Sequence, residues 1–135
     1  YDPAIPYEQA AMFEPSTVAL HGLYCNGYQG GESVAVLGGG TIGLFTAQWA
    51  NIFGAKQVVV FDIEDSRLEL AKRLGAQAVI NTREEGFMEK AMALTGGKGF
   101  GYVFETAGNP VTMRMGFQLA ANKAKVCFIG TPIPI

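Results

Sequence analysis

The chain has 135 residues, of which 49% are hydrophobic and 16% charged, so one domain with a well-buried core is expected. A net charge of −2 and the lack of any long basic run exclude a phosphate-backbone footprint, and nucleic acid is not an expected partner. No apolar run approaches the roughly 18–20 residues of a membrane span, and the polar opening YDPAIPYEQ does not read as a signal peptide, so a cytoplasmic protein is expected.

The two cysteines, Cys25 and Cys127, lie far apart without metal-ligand spacing and are expected to be buried thiols in a reducing compartment. There is no internal repeat and no low-complexity segment. Pro3 and Pro6 disfavour helix for the residues before them, so the opening is extended or turn-like. From Glu8 to Tyr24 the pattern is helical, with Ala10, Ala11, Met12, Val18, Leu20 and Leu23 able to share one side. Pro15 breaks this stretch or starts its second part. NGYQGGE follows as a loop.

Thereafter strands and helices alternate. Ser33–Leu37 is a short β-branched strand, and Thr41–Phe53 a helix with Gly54 at its stop. Val58–Asp62 is a strand, Asp65–Leu74 a helix, Ala78–Ile80 a strand and Glu84–Leu94 a helix ended by TGGKG. Tyr102–Thr106 is a strand, Pro110–Ala121 a helix with Pro at its start, and Lys125–Ile129 a strand. Several strands are apolar at consecutive positions, as strands covered on both faces must be. Right-handed crossovers then give an α/β doubly wound parallel sheet, a Rossmann fold of strand order 3-2-1-4-5. Residues 1–30 read as a lead-in with a helix and residues 31–135 as the dinucleotide-binding domain.

Gly38, Gly40 and Gly43 form G-x-G-x-x-G between the first strand and its helix, the context that makes the motif informative. Gly38 allows the tight turn, Gly40 leaves room for a pyrophosphate, and Gly43 lets the helix pack close to the strand. The helix start then holds the phosphates through free N–H groups and partial positive charge. Gly39 has no place in the motif. An acidic residue is expected about 20 positions later, at the end of the second strand. Asp62 stands there, able to accept hydrogen bonds from both ribose hydroxyls.

Other nucleotide readings are weaker. A P-loop fails on GGKG, because Met92 and Gly99 occupy the positions of its first Gly and its Ser or Thr. An S-adenosylmethionine-dependent methyltransferase shares the Gly-rich loop and acidic ribose ligand, but the wide spacing before Gly43 argues against it.

EPSTVALHGLY at Glu14–Tyr24, VAVLGGGTIGL at Val34–Leu44 and VVVFDIEDSRLELAKRLGA at Val58–Ala76 resemble the zinc-dependent medium-chain dehydrogenases. The polyol branch, with sorbitol, galactitol-phosphate and threonine dehydrogenases, is the most similar. VFETAGNP and VCFIGTP fit as the ends of the fourth and fifth strands. The resemblance implies NAD as cofactor and, in a longer parent, zinc, an alcohol or polyol substrate and a homo-oligomer. It also implies a catalytic domain whose Cys and His-Glu zinc ligands are not in this sequence. Nor is a sixth strand, so the chain reads as an excised cofactor domain, inert by itself and without a metal site.

Residue by residue, the resemblance implies a phosphate loop of Gly38, Gly40 and Gly43 with Thr41 at the helix start. Ile42 would contact the cofactor, Asp62 would hold the ribose, and Arg67 would lie by the adenine and ribose. Thr106, Ala107 and Gly108 would line the crevice beyond the fourth strand, and Ile129, Gly130 and Thr131 would border the nicotinamide side. Glu14 matches a glutamate near the catalytic zinc. His21 is expected to be a structural helix residue, Cys127 a buried core thiol, and Trp49 a core or interface residue. An NAD-sensing regulatory module is the alternative function, against which the EPSTVALHG lead-in argues.

Overall fold

The computed structural model describes residues 2–131. Its elements are α1 (Tyr7–Ala10), α2 (Phe13–Cys25), β1 (Ser33–Leu37), α3 (Thr41–Ile52), β2 (Gln57–Asp62), α4 (Asp65–Arg73), β3 (Ala78–Asn81), α5 (Phe87–Ala93), β4 (Phe100–Glu105), α6 (Pro110–Leu119) and β5 (Ala120–Phe128). The five strands form one sheet in the order β3-β2-β1-β4-β5. Every pairing is parallel.

The strand sequences explain the layering. Side chains alternate between faces along a strand. In β1, Val34 and Val36 join one apolar cluster with Leu23, Ala47, Ala50, Leu68 and Ala71, from α2, α3 and α4. Ala35 and Leu37 join the other with Ala91, Met115 and Leu119, from α5 and α6. All five β1 residues are buried, which is why SVAVL has no polar alternation beyond Ser33. Each fully buried Val or Phe of this sheet stabilises by roughly 1.5–3 kcal/mol.

Several boundaries differ from the sequence reading. The break before α2 falls at Ala11 and Met12, and Pro15 is the third helical residue, in the first turn where its missing N–H costs nothing. The buried face of α2 is Ala19, Gly22 and Leu23, while Ala11, Met12 and Val18 are exposed. Trp49 ties this helix to α3, its Nε1 donating to Ser16 O and Oγ at 3.1 Å each. The helix expected from Glu84, α5, begins only at Phe87, because Gly86 before it adopts a left-handed backbone, φ 73°, that ends any earlier helical run.

The last helix stops at Leu119 rather than Ala121. Ala120 leaves it in extended conformation, φ −69° and ψ 132°, and pairs with Phe100. The strand is irregular between Phe100 and Tyr102, with Lys123 at φ 64°. Tertiary pairing here overrides the helix propensity of two alanines. β4 likewise starts earlier than expected, at Phe100, and ends at Glu105.

The cysteines need correction. Cys25 is exposed, with its Sγ 3.2 Å from His21 Nε2 one turn earlier on α2. Cys127 is half-buried against α2, its Sγ 3.7 Å from Gly22 O, and burial pushes its thiol above the ordinary range.

Candidate dinucleotide-binding site

β1 and β4 are parallel neighbours, and the chain leaves them toward opposite faces, β1 into α3 and β4 into α6. Two diverging connections open a crevice beyond the strand ends. A cavity of about 350 Å³ lies there, lined among others by Gly38, Gly40, Asp62, Arg67, Thr106 and Ala107. A larger groove of about 710 Å³ sits at the opposite ends of the strands, by Ser33, Lys56 and Gly99. It is the more open of the two and gathers none of the motif residues, so the smaller crevice is the candidate site.

The glycine loop is built as a tight turn. Gly38 has φ 109°, which an L side chain rarely adopts, and its N–H donates to Phe61 O at 2.8 Å. Gly43 lies so close to the turn that a Cβ there would overlap Gly38 O. Thr106 stitches the loop to β4, its Oγ1 donating to Leu37 O at 3.0 Å and Gly38 O at 3.2 Å. Gly40 is the N-cap of α3 and supplies no side-chain cap, and a Cβ on it would meet open space. The first N–H groups of α3 are thus left for a ligand. Thr41 is exposed at this helix start and Ile42 is half-buried behind it.

Asp62 ends β2 at 7% exposure with its carboxylate held by backbone donors. Ile63 N and Glu64 N donate to Oδ1 at 2.8 and 2.9 Å, and Gly39 N donates to Oδ2 at 2.6 Å. Arg67 reaches Oδ2 at 3.6 Å from α4 with its side chain 55% exposed. Gly39, unexplained by the motif, therefore has a place. A Cβ there would crowd Arg67 Cβ at 3.2 Å and Asp62 Oδ2 at 3.3 Å.

The residues beyond β4 and β5 are neighbours, and of them Thr106 and Ala107 line the crevice. Ile129 N and Gly130 N donate to Glu105 O at 2.8 and 3.0 Å. Gly108 and Gly130 pack backbone to backbone, with no room for a side chain on either. Ile129 turns its side chain toward α2, where a Cβ on Gly22 would collide with it, and Thr131 is exposed. Glu14 stands apart from the crevice, exposed in the first turn of α2.

Sequence reasoning missed Glu105. It ends β4 as Asp62 ends β2, and it is fully buried. Its Oε1 accepts from Ala107 N and Gly108 N at 2.9 Å each and from Thr112 Oγ1 at 2.7 Å. An acid closing the apolar run YVF, at a strand end beside the glycine loop, was the available signal.

Comparison with known proteins adds to this geometry. A family profile described as zinc-binding dehydrogenase matches residues 41–134. The chain belongs to the zinc-binding dehydrogenase family. Sorbitol dehydrogenase of Bacillus subtilis (strain 168) is 35% identical over 129 residues, which are 96% of this chain and 36% of that protein. The crystal structure of galactitol-1-phosphate dehydrogenase from Escherichia coli superposes with a TM-score of 0.87 at 32% identity, over 98% of this chain and 38% of its own. A zinc-binding dehydrogenase from Sinorhizobium meliloti 1021, solved bound to NADP, gives a TM-score of 0.78 at 30% identity over 87% and 35% of the two chains. The chain thus spans little more than a third of the length of these relatives. The chain shares the parallel α/β sheet of these solved structures. Among its described residues no three His, Cys, Asp or Glu side chains gather as a metal site, and no helix is long and apolar enough to cross a membrane.

Proposed function

We propose that residues 31–135 bind NAD in the crevice between β1 and β4, and that residues 1–30 lead in from a catalytic domain. The parent protein then transfers a hydride between a secondary alcohol or polyol and NAD. Three features of the chain fit the cofactor. The start of α3 is uncapped, the space at Gly40 is open, and a buried carboxylate closes β2. The single observation that carries the reading is Asp62, held by Gly39 at the mouth of the glycine loop. A carboxylate there favours two ribose hydroxyls over a ribose phosphate.

In this reading the N–H groups of Thr41 and Ile42 take the pyrophosphate and Asp62 takes the adenosine ribose. Arg67 flanks the adenine. Thr106, Ala107 and Gly108, with Ile129, Gly130 and Thr131, border the nicotinamide end. Zinc, held elsewhere in the parent, supplies Lewis acidity toward the alcohol, and Glu14 belongs near that centre. The parent works in the cytoplasm as a homo-oligomer.

NADH fluorescence tests the binding. Saturable enhancement by the 135-residue chain, reversed by ADP-ribose and not by S-adenosylmethionine, supports the reading. Competition by S-adenosylmethionine in place of ADP-ribose overturns it in favour of the methyltransferase alternative.

A further inference from the structure

Glu105 is the one fully buried carboxylate among the described residues, and nothing so far uses its charge. All three of its donors converge on Oε1. Oε2 has no hydrogen-bond partner. That asymmetry suits an anion. Three donors on Oε1 stabilise negative charge on the carboxylate, and the unpartnered Oε2 leaves part of that charge uncompensated. The donors sit at the start of α6, where Asn109 Oδ1 caps Val111 N and Thr112 N, so the helix N-terminus adds its partial positive charge. No Lys, Arg or His forms an ion pair with Glu105 among the described residues.

The placement of this charge is specific. Ala107 and Thr112, which bond Oε1, also line the crevice. Oε2 points the other way, toward Gly130, where a Cβ would come within 2.9 Å of it. Glu105 therefore stands directly under the two loops assigned above to the nicotinamide end. A negative charge buried in low dielectric acts over longer distance than one in water. The oxidised nicotinamide ring is cationic and the reduced ring is neutral.

Resting on the NAD-binding reading, we propose that Glu105 is a specificity residue for the redox state of the cofactor, its buried carboxylate favouring the cationic NAD+ over neutral NADH. It touches neither form. It acts through the field it sets across the loops that hold them.

Calorimetry with NAD+ and NADH on the 135-residue chain and on Glu105→Gln, which keeps the shape and removes the charge, tests this. NAD+ should bind about tenfold more weakly to the variant, with NADH moving by less than about twofold. Equal changes for both forms, or none, overturn the proposal. Thr112→Val removes one donor and leaves the charge, so it should shift both affinities together. A selective loss of NAD+ binding in Thr112→Val would assign the effect to loop geometry and also overturn it. Should Glu105→Gln fail to fold, carbon-13 NMR of the glutamate carboxyls in the unmodified chain decides instead. An ionised Glu105 signal at neutral pH that responds to NAD+ more than to NADH supports the proposal, and a protonated one overturns it. Failure of both forms to bind the unmodified chain would remove the NAD-binding reading itself, whereas binding of both with an unmoved ratio removes this inference alone.

Discussion

Gly39 N donates to Asp62 Oδ2 at 2.6 Å, tying the glycine loop after β1 to the end of β2 across 23 residues of chain. With Ile63 N and Glu64 N on Oδ1, one carboxylate satisfies three backbone donors. Asp62 therefore builds the loop, apart from the ribose contact proposed for it. Asp62→Ala leaves those donors unpaired at a cost of about 1–3 kcal/mol. Thermal unfolding without cofactor should show Tm lowered by roughly 4 °C or more. An unchanged Tm would mean that the loop holds its shape without the carboxylate.

Gly40 and Gly43 separate binding from folding. A side chain at Gly40 meets open space, so Gly40→Val should fold with Tm within a few degrees of the unmodified chain. Its branched Cβ obstructs the pyrophosphate, and NADH affinity should fall by about tenfold or more, 1.4 kcal/mol. Gly43→Ala forces a methyl onto Gly38 O and should cost about 1–3 kcal/mol of stability before any ligand is added. Paired melting and binding curves check both. Unaltered affinity in Gly40→Val would contradict a phosphate cradle at this loop.

The parts of this fold legible in the sequence are those set by local pattern. VVVFD ends in its acid because the buried run stops where the ligand crevice opens, and Asn109-Pro110 marks a helix start by capping and by fixed φ. What was not legible depends on register between distant segments. Gly39 gains its meaning only beside Asp62. Glu105 resembles a solvated acid until Ala107, Gly108 and Thr112 are seen to fold back onto it. Ala120 and Ala121 read as helix, and only the pairing of Ala120 with Phe100 makes that segment a strand. Cys25 is expected inside only as a reduced thiol without metal-ligand spacing, yet it projects from α2 beside His21.

Tyr28 links stability to alkaline pH. Its OH donates to Ala50 O at 3.0 Å, and its ring packs edge-on to Tyr102 with centroids 4.6 Å apart. Burial, then the neighbouring Tyr102, pushes its pKa up to about 12 from the ordinary 10. The native state thus holds this proton where the unfolded state has released it. Stability from the neutral phenol is fully present below about pH 10 and is lost as pH rises through about 12. Denaturant midpoints across that range should fall, and Tyr28→Phe should flatten the fall. A midpoint in the unmodified chain that holds steady to pH 12 would rule out the coupling.

The edge of the sheet at β5 carries a paired aromatic surface. Phe117 and Phe128 are 64% and 45% exposed with ring centroids 5.7 Å apart. Exposed strand edges and apolar patches invite pairing. The chain should self-associate in light scattering at high concentration, and Phe128→Lys should shift it toward monomer. A clean monomer in the unmodified chain would count against an interface at this edge.

Calorimetry of NADH and NADPH at fixed salt tests most directly whether Asp62 faces the cofactor ribose. A 2′-phosphate offers no donor to Asp62 and adds like charge. At about 4 Å that repulsion is roughly 1 kcal/mol in bulk water and roughly 4 kcal/mol at an effective dielectric near 20. Arg67 opposes this, but it already leans on Asp62 Oδ2 at 3.6 Å with its side chain largely in solvent. NADH should bind at least about tenfold more tightly than NADPH, and Asp62→Ser should narrow or reverse the gap. Equal affinities, or tighter NADPH, in the unmodified chain would contradict the placement of the ribose on Asp62.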